Sequence, residues 1–195
     1  MTIRKGEPWG SAVARPQQLT VAGSDRELAE LVAAGGEPPL GVSGGDLFAT
    51  VGAPSGRDPV QRLPIDLLRI EADGVCHRAV AHVVVRRSWW RGRILAVLNV
   101  DHVGRWNVAP RAHPNDGRFD VVEVDPEMRL RQRLQARRRL PQGTHVPHPR
   151  ISTRTGTSES WRFVGPHRLF VDGERVGSVH DLTITLEPDA FTIHV

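Results

Sequence analysis

From Ile65 to the C-terminus the chain repeats one pattern: a short run of apolar or alternating residues, then a turn built from Gly, Asp, Asn or Pro. Leu182, Ile184 and Leu186 alternate with Thr183 and Thr185, and Asp73–Gly74, Asp116–Gly117 and Asp172–Gly173 punctuate the runs. Period-two runs between such breakers specify half-buried strands joined by tight turns. The runs are Ile65–Glu71, Val75–Val85, Arg93–Val100, Phe119–Val124, Ile151–Thr155, Trp161–Val164, Arg168–Val171, Arg175–Val179, Leu182–Leu186 and Phe191–Val195. With 19 Gly and 15 Pro in 195 residues, long helices have little room. The exception is Pro126–Leu140, where Asp125 can cap, Pro126 takes the first position, and Leu130 and Leu134 stand one turn apart. This half of the chain, 64–195, is predicted to form a β-sandwich or open barrel with one basic helix.

The first third reads differently. Residues 1–18 are polar and broken by Pro8 and Pro16, which predicts an extended N-terminal arm. In 19–63, Leu19–Ala22 and Pro39–Val42 read as strands around a helix in DRELAELVAAGG, with Ser24 or Asp25 as its cap and Leu28, Leu31 and Val32 on one face. Asp46–Val51 adds a helical turn, and 55–63 a polar linker. The fold class is therefore α+β and mainly β, with a reduced βαβ-like unit ahead of the β-rich domain.

Composition removes several functions. One cysteine excludes a disulfide framework or a cysteine-rich zinc module. Cys76, on a strand beside His77, is expected to be a small core residue. Tyrosine is absent, and Lys5 is the only lysine among 26 basic residues, which disfavours P-loop or Schiff-base chemistry. His145 and His148 lie between prolines with no carboxylate or cysteine at ligand spacing, so no metal site is expected. No secretory signal opens the chain, and no run approaches the roughly 18 apolar residues of a membrane span. The expected location is cytoplasmic, with peripheral membrane contact open.

Several motifs recur in an order that resembles the diacylglycerol kinase and sphingosine kinase family. Gly23–Ser24–Asp25–Arg26–Glu27 falls where that family has GGDGT. Ser43–Gly44–Gly45–Asp46–Leu47 falls at its second loop, followed by Val51–Gly52–Ala53–Pro54. Asn107–Ala112 with Asp116–Val121, then Gly143–Thr144–His145, Val171–Asp172–Gly173–Glu174 and Glu187–Ala190 continue the match. The resemblance implies ATP- and Mg²⁺-dependent phosphoryl transfer to a lipid hydroxyl, with Asp172 as base and Glu174 supporting it. It also implies that Gly23, Ser24, Asp25, Ser43, Gly44, Gly45 and Asp46 surround the nucleotide. Glycine loops of this kind bring backbone N–H groups to phosphate oxygens. Here Arg26–Glu27 replace the family's Gly–Thr.

Each residue also has a structural reading. Asp172–Gly173 can be a hairpin turn alone, and Asp25 and Asp46 can be helix caps. The alternative to a lipid kinase is a catalytically degenerate relative that binds a lipid surface or a protein. Arg129, Arg131, Arg133, Arg137, Arg138 and Arg139 form a basic helix suited to anionic lipid headgroups or to a solvated face. Arg86–Arg91 adds an arginine–tryptophan cluster that could meet lipid. No base-reading motif points to nucleic acid. A homodimer covering the edges of the reduced α/β layer is a further expectation.

Overall fold

The computed structural model describes residues 8–35, 39–54 and 58–195. In chain order the elements are β1 (Ser11–Val13), β2 (Thr20–Ala22), α1 (Asp25–Ala33), β3 (Leu40–Val42), α2 (Gly45–Thr50), β4 (Val60–Ala72), β5 (Val75–Ala79), β6 (His82–Arg86) and β7 (Ile94–Leu98). They continue with the small hairpin β8 (His102–Val103) and β9 (Trp106–Asn107), then β10 (Phe119–Val124), α3 (Leu130–Arg139), β11 (Ile151–Gly156), β12 (Ser158–Val171) and β13 (Glu174–His194).

One sheet runs β1-β4-β13-β12-β6-β7-β10-β11, with β5 paired to β4 and the parallel pair β2–β3 added to β13. Inward residues of β4, β6, β7, β10, β12 and β13 all join one core, which includes Ile70, Val83, Val97, Phe119, Trp161, Leu169 and Ile184. Strands so far apart in the order share a core only if the sheet folds over on itself, so the predicted sandwich is what forms. β7 shows why its sequence is a continuous apolar run. Leu95 and Val97 face that core, while Ile94, Ala96 and Leu98 face a second one, completed by Val84, Val122, Met128 and Ile151.

The strands near the C-terminus are longer than their sequence runs. Trp161–Val164 and Arg168–Val171 belong to one β12, with a register shift between Arg162 and His167; three expected runs merge into β13, whose shift lies between Glu187 and Phe191. Bulges absorb the residues that interrupt the alternation, so pairing continues through them. The apolar run Val75–Val85 instead divides, because the backbone turns at Val80–Ala81 between β5 and β6.

Part of the expected arm is sheet. Residues 1–7 of that arm lie outside the described residues, but β1 pairs antiparallel with β4 and Trp9 Nε1 donates to Pro64 O at 3.2 Å. The linker expected at 55–63 is partly strand, since β4 begins at Val60. A third core joins Leu28, Leu40 and Leu47 of the α/β unit to Ile65, Val80, Val100 and Ile193 of the β-rich part, so the expected boundary near residue 63 runs through shared packing.

Two expectations are reversed. The helix begins at Leu130, four residues later than Pro126, and it turns Leu130 and Leu134 outward while burying Arg133. Cys76 is exposed and free, because on edge strand β5 it points away from the core that Ala79 joins.

Candidate functional site

Three carboxylates from separate segments converge where the α/β unit meets the sandwich. The first is Asp172. Val171 pairs with Glu174 across a two-residue turn in which Asp172 and Gly173 have φ of +47° and +83°, the left-handed values a tight hairpin needs. The turn directs the Asp172 carboxylate inward, where it accepts hydrogen bonds from the amides of Val80, Ala81 and His82, each at 3.0 Å. Its own amide donates to His82 O at 2.9 Å. Asp172 thereby fastens the β12–β13 hairpin to the β5–β6 junction. Burial pushes its carboxyl above the usual range, against the opposing pull of His82 and the three amides.

Glu174 does not join it. Its side chain is exposed and lies 3.8 Å from Arg26. The sequence expectation that Glu174 supports Asp172 is therefore corrected: the left-handed turn at Asp172–Gly173 interrupts the alternation that would put residues two apart on one face, so Asp172 points inward while Glu174 stays exposed.

Asp46 and Asp25 complete the cluster. Asp46 Oδ2 lies 2.9 Å from His82 Nε2, and both its oxygens accept from the Gly104 amide at 2.9 and 3.0 Å. Burial opposes ionisation of Asp46, but His82 and the Gly104 amide outweigh it and hold the carboxyl below the usual range. Asp25 accepts from the amides of Asp46 at 2.6 Å and Leu47 at 3.0 Å. It thus caps α2, whereas Ser24 caps α1 by accepting from Glu27 N at 3.2 Å. Burial, aided by the charges of Asp172 and Asp46, pushes the Asp25 carboxyl up to about 6.

His82 is the residue that sequence reasoning missed. It heads an apolar run, HVVVR, and nothing in its spacing sets it apart; a polar residue at the buried start of a strand is the only available signal. Burial by itself would depress its pKa, but the Asp46 hydrogen bond and the charges of Asp172, Asp46 and Asp25 raise it.

The two loops expected around a nucleotide are pressed together. A Cβ on Gly44 would stand 2.4 Å from Gly23 O, and one on Gly45, whose φ is +94°, 2.4 Å from Asp25 Oδ1. Only glycine permits that approach. Several donors that could meet phosphate are taken by the chain itself. Glu27 Oε2 accepts from Gly23 N at 2.7 Å, and Asp25 takes Asp46 N and Leu47 N. Ser43 N and Oγ both donate to Ala22 O. Arg26 is engaged with Glu30 at 2.9 Å. The carboxylates of Asp25 and Asp46 are likewise committed to amides and to His82, and no three His, Cys, Asp or Glu side chains among the described residues form a metal-binding group. In this arrangement the residues present do not fit ATP with Mg²⁺.

A cavity of about 180 Å³ lies on the far side of the β8–β9 hairpin, between the sheet face of β6, β7 and β10 and helix α3. The hairpin belongs to both sites, since Gly104 donates to Asp46 while Val103 and Trp106 line the cavity. The walls are almost wholly apolar, and Trp89, Trp90 and Trp106 form one side. Of the six arginines expected on a lipid-facing helix, Arg133 is turned into this wall. It donates to Met128 O at 3.0 Å, Gly92 O at 2.5 Å, Asp125 O at 3.0 Å and Trp89 O at 3.5 Å. A guanidinium in a ring of carbonyls ties α3 to the loops on both sides of it. Arg129, Arg131, Arg137, Arg138 and Arg139 are exposed.

Residues 66–195 match the family model described as the YegS C-terminal NAD kinase beta sandwich-like domain. Among solved structures, one described as a putative diacylglycerol kinase from Bacillus anthracis str. Sterne is similar with a TM-score of 0.68 and 13% identity, over 90% of this chain and 76% of that one. A second so described, from the same strain, gives 0.65 and 14% over 90% and 77%. At such identity the likeness concerns the fold. No curated protein matches the chain.

Proposed function

Because this chain belongs to the YegS C-terminal NAD kinase beta sandwich-like family, we propose that it is a lipid-kinase-like protein whose function is to bind a lipid or similar amphiphile, without phosphoryl transfer. The observation that carries the reading is the tryptophan-walled cavity, concave and apolar with few polar groups, which is the character of a small-molecule site. The amides of Gly23, Asp46 and Leu47, held by the chain's own carboxylates, argue against the kinase activity that the descriptions of the fold relatives name. Retaining a fold while its chemistry changes is ordinary.

Tryptophan fluorescence during titration with a short alkyl ligand tests this. Saturable binding that shifts the emission to the blue is expected, and Ala136→Phe, which projects a ring into the cavity, should abolish it. Absence of saturable binding by the native protein overturns the reading. Calorimetry with millimolar Mg-ATP should give no heat of binding.

The convergence of Asp25, Asp46, Asp172 and His82 favours a second reading, lipid phosphorylation with ATP and Mg²⁺ and Asp172 as base. It requires the loop donors to exchange their carboxylate partners for phosphate. Transfer of label from ATP to a short-chain diacylglycerol, lost in Asp172→Asn under conditions where dichroism shows that variant still folded, would support it.

The outer face of α3 supports contact with an anionic lipid surface. Leu130 and Leu134 are 53% and 41% exposed among Arg131, Arg138 and Arg139. Binding to anionic but not neutral vesicles, weakened by Leu130→Gln with Leu134→Gln, is the expected result of sedimentation. No described helix is long and apolar enough to cross a membrane.

A further inference from the structure

Arg86 and Arg168 are direct partners in the β6–β12 ladder. Alternation places them on the same face as Val84 and Phe170, the face that packs against the α3-side core, while Val85 and Leu169 point into the sandwich. Like charges directly opposite one another on a sheet repel. Proteins relieve such a pair with a carboxylate, and here none does. Neither arginine makes an ion pair among the described residues, and Glu123 is held by Arg93 at 2.7 Å and Arg154 at 3.5 Å.

Arg86 is held ready for a partner. Its guanidinium carbon lies 4.2 Å from the centre of the Trp89 ring and 4.4 Å from that of Phe170. Its Nε is buried without a hydrogen-bond acceptor. Stacking engages the flat faces of a guanidinium and leaves its in-plane N–H groups for an oxyanion. Burial, and then the charge of Arg168, weaken its hold on the proton, a cost that an anion between the two would remove. The same Trp89 and Val84 line the apolar cavity. Arg137, over Trp90 at 5.0 Å and Trp106 at 5.7 Å, adds a third cation to the aromatic wall.

We propose that Arg86 and Arg168 form an oxyanion site at the edge of the cavity, so that the protein binds an anionic amphiphile with its phosphate or carboxylate on the two arginines and its alkyl chain among the tryptophans. This rests on the lipid-binding reading and adds the charge of the ligand to it. Neither Asp172 nor a nucleotide takes part.

The test compares octyl phosphate, octyl glucoside and inorganic phosphate, each below any micelle-forming concentration, by tryptophan fluorescence and calorimetry at low salt. Octyl phosphate should bind at least about tenfold more tightly than octyl glucoside, the gain expected from charge-assisted hydrogen bonds. Arg86→Gln with Arg168→Gln should remove that preference, so that octyl phosphate and octyl glucoside bind the variant with equal affinity. Arg168→Gln by itself, at an exposed position that does not threaten folding, should remove part of it. Equal affinity of the native protein for the two octyl ligands, or a preference that survives the double substitution, overturns the oxyanion site. Inorganic phosphate binding as tightly as octyl phosphate overturns the amphiphile and leaves a site for free anions. If neither octyl ligand binds, the lipid-binding reading itself fails.

Discussion

A buried carboxylate that accepts three backbone amides cannot give up that role cheaply, and Asp172 is such a group. An amide side chain in its place offers one acceptor atom and sets an N–H₂ against the remaining donors. Asp172→Asn is therefore expected to lower unfolding stability by about 2–4 kcal/mol, read by urea denaturation. A purely catalytic aspartate would leave stability unchanged. Asp25 carries a second prediction. Its folded value near 6 lies above the model-peptide value of 3.8, so the folded state holds the extra proton between the two. Stability from this group is present at low pH and falls as pH rises through roughly 4 to 6, by about 3 kcal/mol in all. His82, whose folded value is also raised, acts in the same sense: its contribution is intact below its unfolded value of 6.5 and is lost as pH rises through the folded one. Asp46, held low, opposes them only as pH falls through its depressed value. Relative to Asp25→Asn, the denaturation midpoint of the native protein should therefore fall as pH rises from 4.5 to 7.5. Of this cluster the sequence showed the three aspartates, because Asp46 and Asp172 stand beside glycine and Asp25 follows Gly23 by two residues. It did not show His82, because a buried polar residue at a strand end is recognisable only from what surrounds it.

At the scale of elements, α3 departs most from its sequence pattern. A leucine pair at i, i+4 ordinarily marks the buried face, yet Arg133 is the buried residue of this helix. The reason is local. The segments at 89–92 and 125–128 turn four carbonyls toward Arg133, and a guanidinium can donate to them where a leucine cannot. Arg133→Met is accordingly expected to cost about 3 kcal/mol and to loosen the cavity wall, seen as faster hydrogen exchange in α3 and around Trp89. Arg131→Met, on the exposed face, should change stability by less than about 0.5 kcal/mol. The strands show the opposite case. Val171–Glu174 and Leu182–Leu186 are readable from alternation and turn chemistry alone, whereas the joining of three runs into β13 depends on bulges that no periodicity signals.

At the scale of the whole molecule, the α/β unit and the sandwich share packing, because the core beneath α1 and α2 includes Ile65, Val80, Val100 and Ile193 from the larger part. Unfolding followed by tryptophan fluorescence and by far-ultraviolet dichroism should give coincident transitions. A chain beginning at residue 64 should lose solubility, since it uncovers those side chains. What the sequence determined by itself is the β-rich class, most strands, the hairpin turns and the order of loop motifs, all set by local alternation and by the conformational limits of Gly, Asp and Pro. The tertiary structure decided what those motifs do. It filled the glycine loops with the chain's own carboxylates, turned Arg133 inward and Leu130 outward, set His82 between aspartates and brought Arg86 opposite Arg168. Each of these depends on which donors, charges and rings meet across segments far apart in the chain, and contact of that kind has no period in a sequence.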